Sequence, residues 1–483
     1  MNTPVRRLAT VVLAMFLVLM LSASWVQYVQ APSLNADQRN VRTLYNEYGN
    51  ARGPIVVGGE SVALSEPVDD AFGYQRQYTE GELYAAVTGY YSVVFGRTGL
   101  EREANDQLTG RADSLFWTRL QDLLTGRRPQ GSAVETTIVP EAQEAAFKAL
   151  EGLRGAAVAI DPRTGAILAM VSTPSFDPNL LAGHDTAVVN EAYRALENEK
   201  GDPLVNRAIA GNTYPPGSTF KLVTAAAAIE AGLEPEDEVF APRELDLPLT
   251  SATVKNYGGS ACDAGDQTTL LNALRISCNT AFAQIGLDLG DDALRAQAEA
   301  FGFGQPLRVP LRVTPSSFPA DPDAPQTAIS AIGQFEVRAT PMQIAMISAA
   351  IANDGVQMQP YLVERVRTAD LTVAEETKPT ELRRSISPST AEQLTKMMVE
   401  VVRSGSGTAA QISGVEVAGK TGTAQHAEGE DPHAWFTGFA PADDPRVAVA
   451  VVVERGGSMG SEATGGRVAA PIARAIMRAV IDQ

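Results

Sequence analysis

The sequence predicts an α/β (α+β) fold, in which a mixed antiparallel sheet is flanked by helices and accompanied by an all-helical region. Three observations predict it. Residues 156–171 have the pattern of an apolar hairpin, the middle of the chain has helical patterns, and residues 415–454 return to strand patterns before a final helix at 467–481. Because strands, helices and strands follow in that order, we expect the first and last strands of the sheet to be neighbours. A small N-terminal α+β domain and one transmembrane helix precede this part of the chain.

The composition excludes several classes of protein. Of the 483 residues, 45% are hydrophobic and 20% are charged, so the chain can bury a large core and is not a disordered protein. The formal net charge of −18 argues against a phosphate-binding surface and therefore against nucleic acid as a partner. The two cysteines, Cys262 and Cys278, do not form a set of metal ligands, and no other spacing indicates one. We expect neither a metal nor a cofactor.

An uncharged run near the amino terminus predicts a membrane anchor. No charged residue occurs from Leu8 to Val26, and a helix of that length spans roughly 28 Å, enough to cross the apolar core of a bilayer. Arg6 and Arg7 precede the run, so the positive-inside rule places residues 1–7 in the cytoplasm and the rest of the chain outside the cell membrane. The alternative is a signal peptide cleaved after Ser22-Ala23-Ser24, although the run is longer than the roughly 7 to 15 apolar residues of such a peptide.

Residues 35–150 are predicted to form the small N-terminal domain. Within them, a strand pattern at 133–139 is followed by Pro140, which can open a helix that runs to Leu150. The domain has no cluster of catalytic residue types, so a spacer or a docking platform fits it better than an enzyme. Residues 155–483 then form a second, larger domain.

The larger domain begins with two apolar strands at 156–160 and 166–171, joined by a turn. Helical patterns follow at 341–352 and from a capping box at Ser389 to about Arg403. The later strand patterns cover residues 415–420, 435–439 and 447–454.

The segment Tyr214-Pro215-Pro216-Gly217-Ser218-Thr219-Phe220-Lys221 predicts a rigid turn that leads into a helix. Residues three apart lie on one helix face, so Lys221 would reach the Ser218 hydroxyl, while free N–H groups in the first turn could bind an oxyanion. Only seven of the 39 basic residues are lysines, and of these only Lys221 follows a serine by three positions. A lysine, unlike an arginine, can lose its proton when it is buried. An isolated Ser-x-x-Lys is nevertheless more often a helix cap beside an exposed lysine, so the neighbouring motifs must decide.

Two further motifs lie downstream. Ser277-Cys278-Asn279 falls within a helical stretch predicted at 272–289, where such residues usually make only local hydrogen bonds. Lys420-Thr421-Gly422-Thr423 lies at the end of a predicted strand. Gly422 lacks a side chain where another backbone must come close, which would leave backbone groups free to pair with an extended peptide.

Ser-x-x-Lys, Ser-x-Asn and Lys-Thr-Gly, in this order, are the motifs of penicillin-binding proteins and serine β-lactamases. Further matching segments are Asn206-Arg207-Ala208, Ile332-Gly333-Gln334, Thr340-Pro341-Met342-Gln343, Trp435-Phe436-Thr437-Gly438, Arg52-Gly53 and Val87-Thr88-Gly89-Tyr90-Tyr91. Over essentially its whole length the chain resembles class B penicillin-binding proteins, which are monofunctional D,D-transpeptidases, and is most similar to the short actinobacterial penicillin-binding protein A group. The resemblance implies a penicillin-binding/serine β-lactamase-like transpeptidase fold for residues 155–483 and a pedestal- or dimerisation-like domain at 35–150.

The resemblance also implies a role for each motif residue. Ser218 would attack the carbonyl between the two terminal D-Ala residues of a peptidoglycan stem peptide, and Lys221 would accept its proton. Ser277 would relay a proton to the leaving amine. Substrate binding is assigned to Asn279, Lys420, Thr421, Gly422 and Thr423, and the oxyanion hole to the backbone N–H groups of Ser218 and Thr423.

The implied partners are peptidoglycan stem peptides, β-lactams and a multi-pass glycan polymerase in the membrane, and the implied role is cell-wall synthesis in cell division or cell shape. A D,D-carboxypeptidase or a β-lactamase would form the same acyl-enzyme and deliver water to it. A non-catalytic sensor or scaffold that binds β-lactams or wall peptides is an alternative from another class. Independently of the resemblance, two cysteines in an exported domain suggest a Cys262–Cys278 disulfide.

Overall fold

The computed structural model of the protein describes residues 2–30, 48–112, 130–211, 213–425 and 429–483. The described residues group into two compact units. One lies within Met1–Ala51 and Ser65–Gln75, and the other consists of Arg52–Leu64 and Arg76–Gln483.

The first unit contains an apolar helix at the amino terminus. A regular α-helix over Asn2–Ser24 continues as a π-helical segment over Trp25–Gln30. In the part of the chain that the structure describes, Thr3–Gln30 is the one helix long and apolar enough to cross a membrane. The span predicted at 8–26 falls inside it.

The secondary structure of both units is numbered here in chain order. The strands are β1 Ile55–Val57, β2 Glu60–Pro67, β3 Tyr74–Tyr78, β4 Tyr91–Ser92, β5 Gly96–Arg97, β6 Ala133–Thr136, β7 Gly155–Ile160, β8 Ile167–Thr173, β9 Glu238–Phe240, β10 Glu244–Asp246, β11 Thr253–Lys255, β12 Gln267–Thr269, β13 Leu307–Arg308, β14 Arg312–Val313, β15 Val356–Met358, β16 Val363–Arg367, β17 Val373–Glu376, β18 Glu381–Arg384, β19 Ala418–Ala424, β20 His433–Ala440 and β21 Val447–Val453. The α-helices are α1 Asn2–Ser24, α2 Gly81–Thr88, α3 Gly99–Glu103, α4 Asn105–Leu108, α5 Pro140–Ala149, α6 Asn179–Ala182, α7 Thr186–Asn198, α8 Lys221–Glu230, α9 Leu270–Ile276, α10 Asn279–Ala300, α11 Ala324–Ser330, α12 Pro341–Ala352, α13 Pro388–Ser404 and α14 Ala469–Ile481.

A five-stranded sheet of described residues forms the centre of the second unit. Its strand order is β19-β20-β21-β7-β8, and every neighbouring pair is antiparallel. The prediction that the first and last strands are neighbours is confirmed, because β21 pairs with β7 from Ala448↔Ile160 to Val453↔Gly155. All seven residues of Val447–Val453 are buried, so apolar layers cover both faces of the sheet. That explains why these strands are continuous apolar runs and do not alternate with polar residues.

Helices supply both layers. Helices α14 and α5 cover one face, where Ile476 packs in the same apolar cluster as Val449 and Val451. Helix α12 covers the other face, where Ile344 shares a cluster with Ala450. Helix α8 packs beside α10 and α13 in this second layer.

The predicted helix at 341–352 is confirmed at both ends, and the final helix begins two residues later than predicted, at Ala469. The capping box predicted at Ser389 is wrong. Helix α13 begins at Pro388, and the hydroxyl of Ser387 accepts the N–H of Thr390 as its cap. A proline is favoured in the first helical position, which makes the residue before it the cap.

A second sheet has the strand order β17-β16-β6-β1-β2-β3. Strands β1 and β6 are parallel, and β16 is antiparallel to β6 from Val363↔Thr136 to Arg367↔Ala133. The hairpin of β16 and β17 comes from the middle of the region predicted as the larger domain. Conversely, α5 lies in the stretch predicted as the N-terminal domain but packs against α14 and β8.

Candidate active site

Ser218 lies in a short 3₁₀ turn, Gly217–Thr219, immediately before α8. The prediction placed it in the first turn of the α-helix itself, but α8 begins only at Lys221. The Gly217 N–H donates to the Gly333 carbonyl at 2.9 Å. Gly333 has a φ of +74°, and a Cβ there would lie 2.1 Å from the Gly217 carbonyl oxygen. The turn is therefore pressed directly against another backbone, and any side chain at residue 333 would displace it.

Lys221 is completely buried. Its Nζ donates to the Ser277 carbonyl at 2.8 Å and to Asn279 Oδ1 at 2.8 Å, and lies 3.4 Å from Ser277 Oγ. The contact predicted from spacing, between Lys221 and the Ser218 hydroxyl, is replaced by these bonds to the second motif. Burial, followed by repulsion from Lys420, holds the pKa of Lys221 well below its usual value. A buried amine with a lowered pKa can accept a proton.

Ser277 lies in a break between two helices. A single helical stretch at 272–289 was predicted, and that prediction is wrong. Helix α9 ends at Ile276, Ser277 takes a left-handed conformation with φ 65° and ψ 42°, and α10 begins at Asn279. The left-handed residue ends one helix and turns the chain into the next, so the Ser277 hydroxyl projects from a sharp bend and not from a helix surface.

Strand β19 carries the third motif. The strand was predicted at 415–420 with Lys-Thr-Gly at its end, but it runs from Ala418 to Ala424, so the motif lies inside it. Lys420 is completely buried, and its Nζ donates to Ser277 Oγ at 2.8 Å and to the Thr421 carbonyl at 2.9 Å. Burial lowers the pKa of Lys420 to about 7. Ser277 Oγ thus lies between two buried amines.

Gly422 brings the strand close to the Ser218 turn. A Cβ on Gly422 would lie 2.9 Å from Trp435 Cβ and 3.1 Å from the Pro216 carbonyl oxygen. A larger residue would therefore push β19 away from the turn, which is the close approach expected of this glycine.

An open cavity of about 850 Å³ connects the three motifs. Its lining residues include the predicted site residues Ser218, Ser277, Asn279, Thr421 and Thr423. Lys221 and Lys420 lie behind this lining and reach it through Ser277 Oγ. Residues far apart in sequence therefore present two serine hydroxyls and an amide to one cavity, with two buried amines behind them.

Three residues that support the site were missed by sequence analysis. Asn256 Oδ1 accepts the N–H groups of Asn279 and Thr280 at 2.8 and 3.1 Å and so caps α10. Ser406 Oγ lies 2.6 Å from Thr421 Oγ1. A Cβ on Gly465 would lie 2.0 Å from the Trp435 carbonyl oxygen. Each acts across long sequence distances, and no local pattern around it signals that role.

In the structure Cys262 and Cys278 are joined by a disulfide. Cys278 is the middle residue of the second motif and lies directly beside Ser277. The bond therefore ties the loop before α9 to the bend that carries the Ser277 hydroxyl.

Chemically, the arrangement suits acyl transfer. A serine that lines a cavity, a buried amine with a lowered pKa and a hydroxyl between two amines are the elements of an activated nucleophile with a proton relay. Thr421 and Thr423, together with the second amine, could bind a carboxylate.

Comparison with known proteins gives two family matches. Residues 155–478 match the model of the penicillin binding protein transpeptidase domain, and residues 52–134 match that of the penicillin binding protein A dimerisation domain. The peptidoglycan D,D-transpeptidase PbpA of Mycolicibacterium smegmatis is 45% identical over 494 residues, covering 100% of both chains. PbpA of Mycobacterium tuberculosis is 44% identical, covering 100% of this chain and 99% of its own.

Solved structures of a penicillin-binding protein A are also similar to this chain. The ceftriaxone acyl-enzyme complex of M. tuberculosis penicillin-binding protein A superposes with a TM-score of 0.87 at 43% identity, covering 90% of this chain and 100% of that one. The penicillin G acyl-enzyme complex of the same protein gives a TM-score of 0.85 at 44% identity, covering 89% and 100%.

Proposed function

The chain belongs to the penicillin-binding protein transpeptidase family, as a class B member, and on that premise we propose that Ser218 carries its reaction. The protein is a peptidoglycan D,D-transpeptidase, a serine acyltransferase that β-lactams acylate. One observation supports Ser218 as the nucleophile. It lines the same cavity as Ser277, Asn279 and Thr423, and two buried lysines lie behind that cavity.

In the first half-reaction, Ser218 Oγ attacks the carbonyl between the two terminal D-Ala residues while Lys221 takes its proton. The N–H groups of Ser218 and Thr423 stabilise the oxyanion. The C–N bond then breaks, and the leaving D-Ala amine receives a proton through Ser277. An acyl-enzyme remains on Ser218.

In the second half-reaction, the amine of a neighbouring stem peptide attacks the acyl-enzyme. A new C–N bond forms, the C–O bond to Ser218 breaks, and the hydroxyl regains a proton. One peptide bond replaces another, so no external energy source is required. Lys420, Thr421 and Thr423 hold the terminal carboxylate of the donor, Gly422 lets the donor backbone lie along β19, and Asn279 binds its backbone amide.

The test is covalent labelling with a fluorescent penicillin. Wild-type protein should be labelled, and Ser218→Ala should not. Ser461→Ala is a matched control, since Ser461 is an exposed serine that lines the same cavity and has no assigned role. Label on Ser218→Ala would disprove the assigned nucleophile. Hydrolysis of the penicillin within seconds would indicate a β-lactamase.

We further propose that residues 1–7 are cytoplasmic, that residues 8–26 anchor the protein in the cell membrane, and that the catalytic part lies outside. The apolar helix Thr3–Gln30 and the basic Arg6 and Arg7 support this orientation. A membrane-impermeant reagent applied to intact cells should reach a cysteine introduced at exposed Ser461 and not one introduced at Thr3.

Residues 35–150 are proposed as a non-catalytic domain and 155–483 as the transpeptidase domain, and the two family matches, to 52–134 and 155–478, support that division.

A multi-pass glycan polymerase is proposed as the membrane partner, because a transpeptidase needs newly made glycan strands. Photo-crosslinkers placed along residues 8–26 should trap a polymerase in growing cells. Crosslinks only to unrelated membrane proteins would reject that partner.

A further inference from the structure

An ionic network, buried except for the partly exposed Arg154, lies behind the turn that carries Ser218. Its centre is Glu454, the residue that directly follows β21. Glu454 Oε1 accepts the Tyr214 hydroxyl at 2.8 Å and Arg207 Nε at 2.9 Å, and Oε2 pairs with Arg154 Nε at 2.6 Å. The Glu454 side chain is 10% exposed and that of Arg207 is 2% exposed. Arg207 belongs to the Asn-Arg-Ala segment, which the reaction itself does not use.

Arg207 is fixed by backbone as well as by Glu454. Its Nη1 donates to the carbonyls of Asp202 and Val205 at 3.1 and 3.3 Å, and its Nη2 donates to the Gly201 carbonyl. A carboxylate held by two guanidinium groups is a strong, charged acceptor in a defined position. Burial, followed by the negative charge of Glu454, raises the pKa of Tyr214, so its hydroxyl stays a donor at any physiological pH.

Tyr214 links the Glu454 carboxylate to the turn that carries Ser218. Its backbone N–H and carbonyl exchange hydrogen bonds with Ala339 at 2.9 and 2.8 Å. Its ring meets His433 and Trp435 edge to face, with centroids 5.4 and 6.0 Å apart. Trp435 Nε1 in turn donates to the Pro215 carbonyl at 3.1 Å.

Only Pro215, Pro216 and Gly217 separate Tyr214 from Ser218, and the two prolines have fixed φ angles. The path from the Glu454 carboxylate to the Ser218 hydroxyl is therefore short and stiff. Gly217 also lies against strand β19, which carries the third motif. A Cβ on Gly217 would lie 2.9 Å from the Thr423 carbonyl oxygen.

We propose that Glu454 and Tyr214 are positioning residues of the transpeptidase, which set the place of Ser218 relative to strand β19 through the Tyr214 hydroxyl. Neither contacts the cavity, and both act through the turn. The proposal rests on the function proposed above, because it assumes that Ser218 is the nucleophile.

The molecule contains a matched control for this network. Glu101 accepts Arg52 Nε and Arg76 Nε, each at 2.6 Å, and its Oε1 also accepts the Tyr78 hydroxyl at 3.3 Å. All four side chains are buried. This network has the same composition, but none of its members lines the cavity or joins the Ser218 turn.

The experiment compares Tyr214→Phe with Tyr78→Phe in the full-length protein, using stopped-flow acylation by a fluorescent penicillin. It measures the labelled fraction, the apparent dissociation constant before acylation and the limiting acylation rate constant. A displaced nucleophile lowers the rate constant of every folded molecule, so we expect Tyr214→Phe to lose about 10- to 100-fold in that constant. The dissociation constant should stay within about twofold. Tyr78→Phe should change only the labelled fraction or the thermal stability.

Two substitutions of Glu454 separate an effect on the position of Ser218 from an effect on the stability of the protein. Glu454→Gln keeps an oxygen for the Tyr214 hydroxyl and should retain more of the limiting rate constant than Glu454→Ala, even where both have the same melting temperature. This series also serves if Tyr214→Phe does not fold. Equal limiting rate constants for wild type, Tyr214→Phe and both Glu454 variants would overturn the proposal. Failure of the proposed function gives a different result, namely label on Ser218→Ala or no label on wild type.

Discussion

Lys221 and Lys420 are both completely buried and both contact Ser277 Oγ, yet their surroundings differ. Lys221 comes from the start of a helix, and its pKa is held well below the usual value by burial and by the charge of Lys420. Lys420 comes from the middle of a strand, and burial lowers its pKa to about 7. At neutral pH the first is therefore suited to accept a proton, whereas the second keeps enough positive charge to attract a carboxylate. The pair shows how a base and a cation can share one hydroxyl behind a single cavity.

The largest expected effect comes from Lys221→Arg. Arginine keeps the positive charge but stays protonated, so it cannot accept the Ser218 proton. We expect the second-order rate constant of acylation by a fluorescent penicillin to fall about a thousandfold. Lys396→Arg is the control, because Lys396 is 67% exposed and pairs with Glu392 on the surface of α13. An active Lys221→Arg enzyme would show that the proton acceptor lies elsewhere.

Removing the hydroxyl between the two amines should have the next largest effect. Ser277→Ala leaves Lys221 its bonds to the Ser277 carbonyl and Asn279, and leaves Lys420 its bond to the Thr421 carbonyl. The relay to the leaving amine is lost, so acylation should slow by about a hundredfold. Ser277→Cys should recover part of that loss in the same stopped-flow assay. An undiminished rate in Ser277→Ala would rule out the relay.

For Lys420, we expect the acylation rate to depend more on the positive charge than on the ability to accept a proton. Lys420→Met removes the cation that holds the substrate carboxylate, and we expect the second-order acylation rate constant to fall about 10- to 100-fold. Lys420→Arg restores a charge and should recover much of the loss, which Lys221→Arg cannot do. If both arginine variants were equally inactive, the division of labour between the two lysines would be wrong.

The pH dependence follows from the same contrast. A lowered pKa means that Lys420 is charged below about pH 7 and neutral above it. The second-order acylation rate constant of the free enzyme should therefore decline as the pH rises through about 7. Burial and the charge of Lys420 also lower the pKa of Lys221, in the direction that favours its neutral, proton-accepting form. In Lys420→Arg the decline should move to much higher pH, because arginine does not titrate there. A decline at the same pH in this variant would assign it to another group.

The smallest effect on acylation is expected from the disulfide. Reduction frees Cys278 from Cys262 but leaves the Asn256 side chain to cap α10. A bridge that closes a loop of this size contributes about 3 kcal/mol by chain entropy. Melting temperature should fall on reduction while the acylation rate constant changes little. Intact mass before and after reduction and alkylation checks the bond, and two free thiols in the native protein would exclude it.

Much of the fold could be predicted because its elements follow from local patterns. The hairpin of β7 and β8 and the helix Pro341–Ala352 are long apolar runs bounded by turn residues or by proline. The pairing of β7 with β21 could be predicted from the order of strands and helices along the chain. These features depend on periodicity, which a single sequence displays.

Other features depend on pairing between distant residues and could not be predicted. Strand β19 extends through its polar motif because β20 pairs with it as far as Ala424↔His433. The helix break at Ser277 uses a left-handed serine, where a glycine would have been the local signal. The pairing of β16 with β6, and of Glu454 with Tyr214, joins residues more than 200 positions apart. The structure brings residues of the three predicted motifs to one cavity, but the hydrogen bonds among them could not be predicted from the sequence.

The most direct test of the two-lysine account is a titration of the lysines themselves. The chain has only seven lysines, so ¹³C-lysine labelling gives few resonances, and Lys221→Arg and Lys420→Arg assign the two that matter. We expect Lys420 to titrate near pH 7, and we expect the pKa of Lys221 to lie well below the usual value of a lysine. A Lys221 amine that remained charged up to about pH 10 would contradict its role as proton acceptor.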